Sequence, residues 1–127
     1  MNKSSEKQER NPLQMVNDLV EVMRICDAEP QEFIERCLSI KTKNQQTVLL
    51  HLNTAQSLIY QRIKKLRALG KPIRMLILKA RQEGVSTLCE ALIFERTARF
   101  ENTNSLIVAH EPESTDAIFA MSKLFYD

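Results

Sequence analysis

Apolar positions along this chain follow two rhythms. Between residues 12 and 26, Leu13, Val16, Leu19, Val20 and Met23 recur at three- and four-residue steps, which predicts an amphipathic helix. Asn11 before Pro12 supplies a cap with proline at the first helical position. A second short helix is expected from Pro30, using Phe33, Ile34 and Cys37. The stretch "CLSIKTKNQQTVLLHL" then predicts two short strands around a polar turn near Asn44 and Gln45. Ala55, Leu58, Ile59, Ile63, Leu66 and Leu69 form one stripe of a further helix. Gly70 offers its C-terminal cap, and Pro72 prevents continuation.

The second half changes rhythm. Residues 74–79 and 105–109 hold the short apolar runs "MLIL" and "LIVA", each read as a buried strand, and each precedes a helical pattern. The first helix is expected over 86–100. The second is expected over 112–126, with Ala117, Ile118, Met121, Leu124 and Phe125 on one side. Two apolar strands joined by a helix imply a parallel pair with a right-handed crossover. The expected fold is therefore α/β: a parallel βαβ core preceded by helices and a small β-hairpin. Residues 1–10 are expected to be a polar, frayed tail, and residues 11–127 to form one portion of a domain.

Composition narrows the classes. A chain that is 43% hydrophobic can bury a core, and only two glycines favour helices over a turn-rich all-β fold. The longest apolar runs, such as "MLIL" and "LIVA", are too short to cross a membrane, and "MNKSSEKQER" has no apolar signal-peptide core. Cys26, Cys37 and Cys89 lack CxxC spacing and are read as reduced intracellular thiols. Charge is segregated. Residues 1–35 carry 4 cations and 8 acids, residues 36–82 carry 11 cations and no acid, and residues 83–127 carry 3 cations and 8 acids. A basic middle of that kind suits phosphate or nucleic acid, or else a solvated helix face balanced by the acidic flanks.

The stretch with most chemical content is "MLILKARQEGVSTL", residues 75–88. A phosphate-binding loop of the form GxxxxGK[ST] wraps phosphates in backbone N–H groups, neutralises them with its lysine and holds magnesium with its hydroxyl. With Gly84 as the second glycine, Ser86 falls on the magnesium-binding hydroxyl and Val85 on the lysine. A neutral Val85 offsets no phosphate charge, so Lys79 or Arg81 would have to do so. The following helix would aim its N-terminal N–H groups at the same place. The plainer alternative is that Gly84 relaxes a turn and Ser86 caps a helix.

"KARQEGVST" resembles the variant phosphate loop of phage terminase large subunits, ATPases that drive DNA into capsids. "LNTAQSLIY" from Leu52 and "SLIVAHEPESTDAIF" from Ser105 are similar to the segments of that family before and after the loop. The resemblance covers about residues 33 to 127. It implies a P-loop NTPase-type core that binds ATP and Mg2+ through Lys79, Arg81, Gln82, Gly84, Ser86 and Thr87, with Ser86 on the metal. It also implies that Gln56 contacts adenine. Gln56 has an alternative role in a capping box with Asn53. The partners implied are double-stranded DNA, the portal protein and the small terminase subunit. Homo-oligomerisation of the full-length protein, no membrane, and the host cytoplasm during phage assembly are implied as well.

ATP hydrolysis also needs an acid on magnesium and a group to position water. No apolar strand ending in Asp-Glu occurs, and "LFYD" at the end sits on an expected helix. The nuclease acids of terminases are absent too. The chain thus reads as the front portion of a motor without catalytic residues of its own. The rival readings are another P-loop motor such as a helicase, and a non-enzymatic basic adaptor that binds nucleic acid or a capsid partner through residues 36–82. His110 is assigned a loop hydrogen bond, and His51 no chemistry.

Overall fold

A computed structural model describes residues 11–80 and 83–126. The expected tail at 1–10, Arg81, Gln82 and Asp127 lie outside the described residues. The elements run α1 Pro12–Ala28, α2 Pro30–Cys37, β1 Ser39–Lys41, β2 Thr47–Leu49, α3 Thr54–Ala68, α4 Val85–Arg99 and α5 Pro112–Tyr126.

Local signals set most boundaries. The Asn11 side chain accepts from the Leu13 N–H at 3.1 Å, and Pro12 stands in the first turn of α1. Glu29 closes α1 and opens α2, where Pro30 fits the first helical position. Strands β1 and β2 pair antiparallel, with Ile40 opposite Val48, around a turn in which Gln45 takes φ +61°. Past the end of α3, Gly70 adopts φ +64°, the left-handed conformation that glycine reaches at least cost.

Helix α4 is the centre of the packing and touches α2, α3 and α5. Ile34, Leu38, Leu50, Tyr60, Ile63, Leu88, Ala91, Leu92 and Phe125 form one buried cluster. Phe94 meets Phe125 edge-on at 5.6 Å between ring centroids. Each fully buried aliphatic side chain here, such as Ile34 or Leu88, contributes about 1.5–3 kcal/mol.

The expected parallel βαβ core is not present. Among the described residues there are five helices and one two-stranded antiparallel sheet. Residues 74–79 and 105–109 carry no regular secondary structure and enter no ladder. Their burial also differs from that of a central strand. Met75 and Ile77 are half-buried, whereas Leu76 and Leu78 are 102% and 101% exposed, and Leu106 and Val108 are exposed as well. A parallel strand needs cover on both faces. A short continuous apolar run has no periodicity to tell one-sided from two-sided burial, and that is where the expectation failed. The fold is a small, mostly helical domain, and the P-loop NTPase class falls with the sheet it requires. Among the described residues no helix is long and apolar enough to cross a membrane.

The stripe of α3 also shifts. Gln56, Tyr60 and Ile63 are its buried residues, with Ile59 and Leu66 half-buried. Leu58 and Leu69, expected in the stripe, point outward at 63% and 67% exposure.

Candidate functional site

Two regions bear on function: the turn that opens α4, and the outer face of α3. At the first, Gly84 is the N-cap of α4 with φ +70° and no side-chain cap. Its carbonyl accepts from the Gln56 side chain at 2.7 Å. Gln56 Oε1 accepts from the Asn53 N–H at 2.9 Å while Asn53 Oδ1 accepts from the Gln56 N–H, which completes a capping box. Asn53 Nδ2 donates to the Glu83 carbonyl. Gln56, only 3% exposed, thus spends both ends of its amide on joining the start of α3 to the start of α4.

The structure therefore brings Gln56 to Gly84, but as a structural tie. Lys79 is exposed, and its ammonium donates to the neighbouring Ala80 carbonyl at 3.2 Å. Ser86 is exposed on the first turn of α4. Thr87 is half-buried and lines a cavity of about 390 Å³ with Ile40, Lys41, Met121, Lys123 and Leu124. Arg81 and Gln82 lie outside the described residues. A phosphate loop is defined by the sheet strand that feeds it and the helix that leaves it. Here the helix is present and the strand is not, so the variant Walker A reading, and with it the ATP-driven DNA-packaging motor and the helicase alternative, is overturned. Among the described residues no three His, Cys, Asp or Glu side chains gather to hold a metal.

The second region is electrostatic. Opposite the buried stripe of α3, Leu58, Arg62, Lys65 and Leu69 follow one another at helical spacing and are all exposed. Lys71 and Arg74, just beyond Gly70, are exposed too. Arg67 faces the other side, where it lines a cavity of about 390 Å³ with Arg96, Ile73 and Leu92.

The cations of this chain divide by partner. Arg24 pairs with Glu21, Arg36 with Glu32, Lys64 with Glu29, and Arg99 with Asp27 and Glu95. Arg62, Lys65, Lys71 and Arg74 have no carboxylate partner among the described residues, and neither do Lys41, Lys43, Arg67, Lys79, Arg96 and Lys123, which do not lie on the outer face of α3. Glu29, whose carboxylate bonds to α3, is committed. It accepts from both Lys64 and Tyr60. Burial raises its carboxyl, but those hydrogen bonds and the charges of Lys64 and Arg67 outweigh burial and hold it below the usual carboxylate range. Burial, and then the bond to Glu29, pushes the Tyr60 phenol well above its ordinary value.

Comparison with known protein families, with characterised proteins and with solved structures gives no match to this chain.

Sequence reasoning passed over the buried acids. Glu90 is 3% exposed and accepts from the Ser122 hydroxyl, which ties α4 to α5. Glu95 is 1% exposed and accepts from Arg99 at 2.9 Å, while Arg99 also donates to the Cys26 carbonyl and to Asp27. The Glu95 and Arg99 spacing of four on a helix with a wide apolar face was the available signal.

Proposed function

We propose that the outer face of α3, with the connector that follows it, binds the phosphate backbone of duplex DNA. The observation that carries this reading is the division among the cations. Arg24, Arg36, Lys64 and Arg99 are paired with carboxylates. Arg62, Lys65, Lys71 and Arg74 stand exposed, without carboxylate partners among the described residues, inside a stretch of the chain that holds no acid from 36 to 82. Unpaired cations on one helix face, Arg62 and Lys65, with Lys71 and Arg74 on the connector beyond it, repel one another, and a polyanion relieves that repulsion. Arg and Lys side chains that reach phosphate oxygens position a duplex without reading its sequence. The expected behaviour is affinity that falls with salt and ignores base composition.

The test is fluorescence anisotropy with a labelled duplex in low salt. Arg62→Glu combined with Lys65→Glu should abolish binding. The same reversal at Lys41 and Lys43, which lie on and beside the β-hairpin, should leave most of it. Binding that survives the first pair, or is lost only with the second, places the contact elsewhere and ends this reading.

A further inference from the structure

Helix α1 carries more apolar surface than its neighbour covers. It packs on α2, and its half-buried and buried positions are Val22, Ile25 and Cys26, all toward its C-terminal end. At 100° per residue these three define one face. Leu13, Val16, Val20 and Met23 lie on a second face, turned well away from the first, and Leu19 lies on the border between them. All five are 57–74% exposed. The steps from 13 to 16, 20 and 23 are three, four and three, which is the spacing of a coiled-coil seam.

The N-terminal turns of α1 therefore have little tertiary support among the described residues. A helix of 17 residues is marginal in water without packing on one face. The four seam side chains present on the order of 400 Å² per chain, so a self-pairing buries up to about 800 Å², the size of a weak, transient interface. Antiparallel pairing closes the seam on itself. A two-fold axis midway along the stripe sets Val16 against Val20 of a second copy and Leu13 against Met23, so four positions satisfy one another with none left over. It also keeps the two folded bodies apart. The rest of the domain follows the C-terminal end of α1, and antiparallel helices carry the two bodies to opposite ends of the pair.

We infer that α1 is a self-association helix that pairs antiparallel with α1 of a second copy of this chain through Leu13, Val16, Val20 and Met23. The inference is independent of DNA binding, which uses α3.

Sedimentation velocity on the full chain at about 100 µM tests it, since that concentration populates even a weak pair of this area. The mass expected is twice the 14.7 kDa of one chain. Val16→Glu with Val20→Glu should give the monomer mass with the domain still folded, because neither side chain enters the buried cluster around α4. Leu76→Glu with Leu106→Glu, on the other exposed apolar region, should leave the dimer intact. Orientation is read by oxidation, in a background with all three native cysteines replaced by serine. Val16→Cys mixed with Val20→Cys should give a cross-linked pair, and Val16→Cys alone should not. A monomeric parent, a dimer that survives the Val16 and Val20 changes, or one lost only through Leu76 and Leu106 overturns the proposal. Self-cross-linking of Val16→Cys overturns the antiparallel arrangement.

Discussion

Gln56 Nε2 donates to the Gly84 carbonyl at 2.7 Å across 28 residues of sequence, and so holds the start of α4 against the start of α3. Space at Gly84 depends on that bond. A Cβ built there would stand 2.7 Å from Gln56 Nε2, and φ is +70°. Gly84→Ala should destabilise the domain by about 2 kcal/mol, the sum of a left-handed alanine and a displaced buried amide. Gln56→Ala should cost a similar amount, about 1–3 kcal/mol, because it removes the Gln56 side of the capping box and one of the two donors to the Gly84 carbonyl, which keeps only the Leu88 N–H. Urea unfolding of both single variants and the double variant checks the link. The double should cost clearly less than the two singles added, and simple additivity would show that the residues are not coupled.

Arg99 joins helices that are far apart in sequence. It holds Glu95 of its own helix together with Asp27 and the Cys26 carbonyl of α1, and its side chain is 16% exposed. Removing it leaves the Glu95 carboxylate buried at 2% side-chain exposure without its cation. Arg99→Ala should therefore cost about 3–5 kcal/mol. Arg99→Ala combined with Glu95→Gln should recover part of that loss, since a neutral amide is cheaper to bury than a lone carboxylate. Thermal melts at neutral pH decide it. A loss under 1 kcal/mol for Arg99→Ala would remove this network from the account of stability.

Acid should loosen the junction of α1, α2 and α3 through Glu29. Its folded carboxyl is held below its ordinary value, so its contribution is present above the usual carboxylate range and is lost as pH falls through the folded value. The gap in melting temperature between the parent and Glu29→Gln should accordingly be widest near pH 7 and should close below about pH 4. Tyr60→Phe removes one of the two donors and should narrow the same gap. A gap that is constant from pH 7 to pH 3 would show that Glu29 does not act through its charge.

Four of the helices were legible from the sequence because each carries its own punctuation, and α4 was placed by its wide apolar face alone. Asn11-Pro12 opens α1, Pro30 opens α2, Asn53 with Gln56 caps α3, and Pro112 begins α5. The hairpin was legible through the polar turn at Asn44 and Gln45. The sheet was misjudged because "MLIL" and "LIVA" give apolar content without periodicity, and content alone does not say how many faces are covered. The same ambiguity misplaced Leu58 and Leu69. An apolar residue at helical spacing was read as core, whereas the buried positions of α3 include Gln56, whose partner on Gly84 no local pattern reveals. The basic middle was visible as composition. Which of its cations are paired was not, because Lys64 meets Glu29 across 35 residues.

The central claim is that α3 presents phosphate-binding cations, and its most direct measurement is the salt dependence of duplex affinity. Four contacts, from Arg62, Lys65, Lys71 and Arg74, predict a log–log slope of about −4, or roughly a hundredfold loss between 50 and 200 mM salt. Removing the charge at Lys65 alone should reduce the slope by about one for every duplex sequence tried. A slope near zero, or one that Lys65→Ala leaves unchanged, would contradict the account.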